Sequence, residues 1–220
     1  MLASYEAGEN NKGLNMLEIR LPEGMRDAGA ADWRRLGDIT GEAFAEDPVN
    51  LWIFGRTDAL TPVFSQLARH LYIPNGICHV AGDRGATMWC LSERRKELGA
   101  LATLGLVWTL MQKGSKGAAK RALTAGETMA REHPKDRHLY LFTIGTRKAE
   151  RGKGLGKQLI NPALAAADKA GMPSYLENSN PANTGFYMSH GFERMKLFEP
   201  GPGAPPLEAM WREPKPQDAI

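Results

Sequence analysis

A glycine-rich turn, Arg151-Gly152-Lys153-Gly154-Leu155-Gly156, most constrains how this chain can fold. The β-branched and aromatic residues of His138–Gly145 predict a strand before the turn. The pattern of Gly154–Ala170 predicts a helix after it, with a local kink at Pro162. Pro173–Asn178 predicts a second strand. A strand–helix–strand unit implies a parallel pair of strands with a right-handed crossover.

The remaining elements follow from hydrophobic periodicity and turn residues. Further strands are predicted at Met16–Leu21, Ile77–Ala81, Ala86–Leu91, Phe192–Phe198 and Leu207–Arg212. Further helices are predicted at Ala30–Ala45, Asp58–Tyr72, Ser92–Met111, Lys116–Glu132 and Asn183–His190. Asp47-Pro48 is expected to end the first helix, because the residue before a proline disfavours helical backbone. The sequence therefore predicts an α/β fold with a mixed sheet and helices on both faces.

Length and composition are those of an ordinary globular domain, with 220 residues, 42% of them hydrophobic and 24% charged. We predict a single domain over 16–214 with a helical insertion at about 93–133, a flexible tail over 1–15 and a short tail over 215–220. The net charge of +3 is scattered, so no nucleic-acid-binding stripe is expected. No apolar run reaches the length of a membrane span.

The cysteines and histidines indicate the cellular location to expect and whether a metal site is expected. Cys78 and Cys90 both lie among apolar residues, which predicts small core residues and favours a reducing, cytoplasmic location. The five histidines show no ligand spacing, so no catalytic metal is expected. His138 and His190 are interpreted as structural.

The glycine-rich turn has the physical properties of a pyrophosphate cradle. A helix N-terminus carries unpaired N–H groups and partial positive charge, and glycines let a phosphate approach those groups closely. Arg151, Lys153 and Lys157 add positive charge. A P-loop is a weak alternative, because Gln158 follows Lys157 where Ser or Thr is needed. A dinucleotide-binding turn is also weak, because the spacing Gly152-x-Gly154-x-Gly156 is wrong for it.

The order of four segments between His138 and Phe192 resembles the GNAT superfamily of N-acetyltransferases. These are the strand, the glycine-rich turn, the strand Tyr-Leu-Glu-Asn and the segment Asn-Pro-Ala-Asn-Thr-Gly-Phe-Tyr with its following His-Gly-Phe. Ala43-Phe44, Asp47-Pro48 and the hairpin around Trp89 resemble the puromycin N-acetyltransferase-like branch. The resemblance implies a GNAT-type, mostly antiparallel sheet of about six or seven strands, with a splayed parallel pair at its centre.

The resemblance also implies where the cosubstrate acetyl-CoA binds. Ile144, Gly145 and Thr146 occupy the place where strand backbone pairs with the pantetheine arm. The pyrophosphate would lie on the turn, formed by Arg151, Gly152, Lys153, Gly154, Leu155, Gly156 and Lys157. Asn183 matches a residue that contacts the pantetheine arm, and its alternative role is a helix N-cap.

The same resemblance suggests catalytic residues. Tyr187 matches the tyrosine whose hydroxyl lies near the cofactor sulfur, where a phenol can protonate a departing thiolate. Many family members carry a glutamate at the position that Tyr140 occupies here, which makes Tyr140 a candidate catalytic residue and leaves the general base unassigned. Glu177 is a candidate acting through water. Glu42, Glu46 and Asp47 are further candidates.

The N-terminal half is expected to build the acceptor side, with Trp52, Phe54, Trp89 and Trp108 as possible pocket residues. We expect a small-molecule amine as substrate, since no extended acidic groove is visible, and a monomer or homodimer. Two alternatives stay open. One is a CoA-binding regulatory module without turnover, and the other is an acyltransferase that uses a larger acyl-CoA.

Overall fold

A seven-stranded sheet organises the chain in a computed structural model that describes residues 17–94 and 97–216. The strands are β1 (Arg26–Asp27), β2 (Ile77–Ala81), β3 (Gly85–Leu91), β4 (Leu139–Thr146), β5 (Ser174–Asn178), β6 (Glu193–Phe198) and β7 (Leu207–Arg212). Their order is β1-β2-β3-β4-β5-β7-β6. The β4–β5 pair is parallel and the other five pairs are antiparallel, which confirms the predicted sheet.

Helices cover both faces of this sheet. They are α1 (Trp33–Ala43), α2 (Pro48–Phe54), α3 (Leu60–Leu67), α4 (Ile73–Asn75), α5 (Ala100–Lys113), α6 (Ala118–Glu132), α7 (Leu155–Lys169) and α8 (Thr184–Ser189). A π-helical turn at Ala68–Tyr72 joins α3 to α4. Short 3-10 turns lie at Ala30–Asp32, Thr57–Ala59, Ser92–Arg94, Lys148–Glu150 and Pro181–Asn183. No helix within the described ranges is long and apolar enough to cross a membrane.

Two hydrophobic clusters, one on each face, fix the helices to the sheet. On one face α1 and α3 pack together and onto the sheet through side chains such as Leu36, Ile39 and Val63. The two helices approach so closely at Gly37 that an added Cβ would lie 1.9 Å from the Ser65 hydroxyl oxygen. On the other face α7 packs against the sheet through Ile160 and its neighbours.

The predicted core cysteines are both buried. Cys78 and Cys90 lie in the cluster under α1 and α3. Burial raises the pKa of the Cys78 thiol, with a smaller contribution from Cys90, so the thiol stays protonated and unreactive at neutral pH.

Several boundaries differ from the sequence prediction, and three of the differences are large. The strand predicted at Met16–Leu21 is wrong over 17–21, which carry no regular structure; Leu17 is buried against the core while its neighbour Glu18 is exposed. That alternation therefore reflects one-sided burial without strand pairing. Asp47-Pro48 begins α2 instead of merely ending a helix. The first insertion helix begins at Ala100 rather than at Ser92.

Some predictions lie outside the described residues. The proposed tail over 1–15 and the end of the chain at 217–220 belong to these, as does Met16. Within the described part, α5 and α6 stand between β3 and β4, where the helical insertion was predicted. The division into one domain with an insertion stays a prediction.

Candidate functional site

The parallel strands β4 and β5 separate partway along their length. Pairing covers only Leu139–Leu141 of β4 and Ser174–Leu176 of β5. From Thr143 to Thr146, β4 pairs with β3 alone among the described strands. Its other edge therefore offers backbone N–H and C=O groups to a ligand. A cavity of about 670 Å³ opens at this separation, and Ile144 and Thr146 border it.

Two irregularities in the chain meet at the cavity wall. A bulge in the β3–β4 ladder leaves Phe142 without a partner residue on β3, because Met88 pairs with Thr143 and Trp89 with Leu141. The π-helical turn places Tyr72 against this residue, with the two rings stacked 4.2 Å apart. Bulges and π-turns often occur beside functional sites because they redirect side chains. Both Tyr72 and Phe142 line the cavity.

The glycine-rich turn lies between β4 and α7, as predicted. Gly152 and Gly154 have φ of +76° and +79°, in the left-handed region that favours glycine. Gly154 is the N-cap of α7, and its carbonyl accepts a hydrogen bond from the Gln158 N–H at 3.3 Å. The N–H groups of Leu155, Gly156 and Lys157 therefore lack acceptors in the helix and can bind an anion. Gly156 packs against the Phe186 ring, which a Cβ would approach to 3.4 Å.

Two of the three basic side chains of the turn, those of Arg151 and Lys153, are held by carboxylates. Arg151 donates to Glu46 at 3.2 Å and to the Ala43 carbonyl at 3.1 Å. Lys153 pairs with Glu150 at 3.3 Å, and Lys157 is exposed. Backbone N–H groups are thus the main anion-binding groups that the turn presents, and the lysines add a diffuse positive field. Gly145 is buried with its Cα facing Ala43, so only its backbone can reach a ligand.

Tyr187 and Asn183 both border the cavity. Tyr187 lies on α8 and is buried, and this burial raises the pKa of its phenol, with a further contribution from Asp47. The phenol therefore stays protonated through the neutral range. Asn183 is the N-cap residue of α8, but its side chain makes no capping hydrogen bond among the described residues. A network among Asn178, Thr184 and Glu208 fixes the start of α8 to β5 and β7.

Glu177 is a buried carboxylate of the cavity wall, with a side chain only 2% exposed. One oxygen, Oε1, lies 3.3 Å from His133 Nδ1. The other, Oε2, is buried without a hydrogen-bond partner among the described residues. An unpaired buried oxygen costs about 1–3 kcal/mol, which a ligand in the cavity could recover.

The three other predicted bases are engaged elsewhere. Hydrogen bonds from Arg147 and from the Lys148 backbone lower the pKa of Glu42. Hydrogen bonds from Lys148 and Arg151 lower the pKa of Glu46, so both groups are weaker bases than a free carboxylate. Asp47 caps α2 through the Asn50 N–H at 2.9 Å and accepts from the Ser179 hydroxyl at 2.5 Å. Asp47 therefore has a structural function, although it borders the cavity.

Only one of the four predicted pocket aromatics lines the cavity. That residue is Phe54. Trp89 is instead fully buried in the cluster on the opposite face of the sheet, and the Trp108 side chain is 63% exposed. Trp52 packs near Gly201 rather than in the cavity. Tyr140 does border the cavity and is buried. The aromatic walls that the sequence did not indicate are Phe44, Phe64, Tyr72 and Phe142.

Both histidines predicted to be structural are hydrogen-bonded within the fold. His190 Nδ1 lies 2.7 Å from the Phe186 carbonyl at the end of α8. His138 Nδ1 lies 2.7 Å from the Asp136 carbonyl. Across 17–94 and 97–216, no three His, Cys, Asp or Glu side chains cluster in a way that could hold a metal ion.

Comparison with known proteins matches residues 125–192 to the acetyltransferase (GNAT) family. This range contains β4, the glycine-rich turn, β5 and α8. An uncharacterized N-acetyltransferase of Schizosaccharomyces pombe is 26% identical over 203 residues, covering 84% of this chain and 81% of the relative.

Solved structures show the same architecture. A crystal structure described as histone acetyltransferase HPA2 and related acetyltransferase, from Corynebacterium glutamicum, has a TM-score of 0.64 and 25% identity, covering 89% of this chain and 98% of that one. Arylalkylamine N-acetyltransferase 2 from Aedes aegypti has a TM-score of 0.53 and 14% identity, covering 90% and 100%. The family match over 125–192, the N-acetyltransferase relative and the 25%-identical structure support a GNAT superfamily N-acetyltransferase that depends on acetyl-CoA, and the separated parallel strands and the glycine-rich turn agree with this.

Proposed function

We propose that this protein transfers the acetyl group of acetyl-CoA to the primary amine of a small molecule with an apolar body. The observation that carries the proposal is the cavity at the β4–β5 separation. Its walls are largely aliphatic and aromatic, and its buried carboxylates are Asp47 and Glu177. Apolar walls suit a hydrophobic body, and carboxylates suit an ammonium group.

The donor side of the proposal rests on the exposed β4 edge and the turn. Ile144, Gly145 and Thr146 would pair with the pantetheine arm, and Asn183 would contact it from the α8 side. The backbone N–H groups between Gly152 and Lys157 would hold the pyrophosphate, since a helix N-terminus stabilises phosphate. This placement brings the thioester to the separation of the strands, beside Tyr187 and the cavity.

The chemistry proposed is direct attack of the amine on the thioester. An alkylamine with a pKa near that of lysine is neutral in only about one molecule in 1,000 at pH 7.4, so removal of its proton is a major part of the barrier. Glu177 Oε2 is the proposed acceptor of that proton. The freed lone pair of nitrogen attacks the carbonyl carbon, the C–S bond breaks, and the hydroxyl of Tyr187 protonates the departing sulfur. The nitrogen loses its second proton to the Tyr187 oxygen, directly or through water, which leaves an amide, a thiol and a neutral phenol, and Glu177 returns its proton to solvent.

Tyr140 occupies the usual glutamate position but is proposed only as a wall of the site. A tyrosine there is protonated at neutral pH and cannot act as the base. Fold likeness to the arylalkylamine enzyme of Aedes aegypti agrees with an amine acceptor without identifying it. A cytoplasmic location and a monomeric or homodimeric state complete the proposal.

Thiol release from acetyl-CoA tests this function. Arylalkylamines and alkylamines should support turnover, whereas lysine-containing peptides and aminoglycosides should not. Activity restricted to peptides would overturn the small-molecule assignment. Coenzyme A binding without thiol release from any amine would favour a regulatory module. Propionyl-CoA and succinyl-CoA in the same assay establish the acyl preference.

A further inference from the structure

A chain of hydrogen-bonded side chains leads from the cavity wall into the core. Glu177 Oε1 lies 3.3 Å from His133 Nδ1. His133 Nε2 lies 3.1 Å from His138 Nε2, and His138 Nδ1 lies 2.7 Å from the Asp136 carbonyl oxygen. All three side chains are buried, with His133 7% exposed and His138 completely buried. The sequence gives no direct sign of this arrangement, because the three residues come from different segments.

The hydrogen bonds place three protons among these side chains when Glu177 Oε2 carries none. A carbonyl oxygen only accepts, so His138 Nδ1 carries a hydrogen. One hydrogen lies between the two Nε2 atoms, and one lies between His133 Nδ1 and Glu177. Three hydrogens on two imidazoles and a carboxylate give no net charge. The three hydrogen-bonded side chains are therefore either a carboxylate with one imidazolium and one neutral imidazole, or a carboxylic acid with two neutral imidazoles. These two states differ only in the position of the protons along the hydrogen bonds.

We propose that His133 and His138 hold the positive charge that keeps Glu177 ionised as the general base, an inference that rests on the proposed function. Without them, burial would favour the neutral carboxylic acid, which cannot accept a proton. With an imidazolium at His133, Glu177 Oε2 takes a proton from the ammonium: an N–H bond breaks, an O–H bond forms and nitrogen keeps the electron pair. His133 and His138 act through Glu177 and are positioning residues.

The aromatic rings around His133 and His138 favour a positive charge that stays within the three hydrogen-bonded side chains. The His133 ring contacts the rings of Tyr140 and Tyr175 edge to face, each at 4.9 Å, and His138 contacts Trp211 at 5.4 Å. These rings separate the histidines from solvent. The ionisable groups that pack around the pair are Tyr140, Tyr175 and, next in sequence to His133, Glu132, which is paired with Arg131 and Lys196.

The test compares pH profiles of kcat/KM for His133→Gln and the wild-type enzyme. Glutamine can still donate to Glu177 but cannot carry the charge. We expect kcat/KM for an alkylamine to fall at least tenfold at neutral pH. The acidic limb should move to higher pH, because a carboxylate without its cation is protonated more easily. An aromatic amine, already neutral at pH 7, should be affected much less. His70→Gln, at an exposed position outside the site, is the matched control and should leave the profile unchanged.

An unmoved acidic limb in folded His133→Gln would overturn the proposal. If that variant does not fold, His138→Gln decides in the same way, with a shift in the same direction expected. Histidine NMR titration gives a readout that does not depend on turnover. Glu177→Gln should make His133 lose its proton at lower pH, and an unchanged titration contradicts the coupling. Wild-type protein that releases no thiol with any amine would instead overturn the proposed function, while the titration still reports on the coupling.

Discussion

A charge placed at Gly154 tests the anion-binding turn most directly. Gly154 caps α7 with φ +79°, and the space around it is open, with nothing within 4 Å of an added Cβ. A side chain there meets no steric barrier but must accept left-handed backbone. Asparagine and aspartate are the residues that tolerate this conformation best after glycine. Gly154→Asn and Gly154→Asp are therefore matched variants that differ only in charge.

The size of the effect follows from Coulomb's law. At about 5 Å, two unit charges repel by about 3 kcal/mol at an effective dielectric constant of 20, and by about 1 kcal/mol in water. Gly154 is exposed, so its surroundings lie between these limits. A pyrophosphate bound on the neighbouring N–H groups should therefore bind Gly154→Asp about 5- to 150-fold more weakly than Gly154→Asn.

Calorimetric titration of coenzyme A into the two variants measures this difference. Raising the salt concentration to about 1 M shortens the Debye length to about 3 Å, so the gap should narrow. Thermal unfolding of both variants checks that the fold is kept. Equal coenzyme A affinities for the Asp and Asn variants would refute the location of the pyrophosphate at this turn.

Two further predictions concern the acid side of catalysis and pH stability. Tyr187→Phe keeps the ring contacts with Phe186 and Phe192 but removes the hydroxyl, so kcat should fall about 100-fold with little change in coenzyme A affinity; unchanged kcat would exclude the acid role. Hydrogen bonds from Arg26 are the main cause that lowers the pKa of Asp32. Because the folded pKa lies below the unfolded value, this stabilisation is present above about pH 4 and is lost as the pH falls further. Asp32→Asn should therefore lower the free energy of unfolding by about 2 kcal/mol at pH 7, and the gap should shrink in acid; equal urea midpoints at pH 7 would contradict this.

The sheet could be predicted from the sequence because local patterns and turn residues agree with the tertiary fold. Leu207–Arg212 was predicted to the residue as β7. The short helix α2 was missed although its signal is present, with Asp47 as N-cap and Pro48 in the first turn. At 17–21, one-sided burial of an unpaired segment could not be distinguished from a β-strand, because an alternating pattern shows only which side chains are buried.

The cavity walls were harder to predict, because they depend on irregular backbone. The bulge at Phe142 and the π-turn at Tyr72 have no periodic signal, yet their stacked rings form one wall. The glycine-rich turn was predicted because glycine is itself the signal for left-handed backbone. His133 was missed because a histidine at the end of a helix has many ordinary roles, and only the tertiary contact with Glu177 distinguishes it.

The position of Glu177 agrees with the proposal of a base on β5, where the resemblance would have placed a glutamate at Tyr140 on β4. Tyr140 and Tyr175 are paired in the parallel register, so their side chains lie on the same face of the sheet. Two residues further along, Glu177 returns to that face because side chains alternate with a period of two. Glu177 also lies one residue beyond Leu176, the last residue of β5 that pairs with β4, and is therefore at the separation of the strands. A carboxylate on the neighbouring strand therefore reaches the same cavity as a residue on β4. Because ion pairs engage Glu42 and Glu46, Glu177 is the carboxylate that we propose accepts the amine proton.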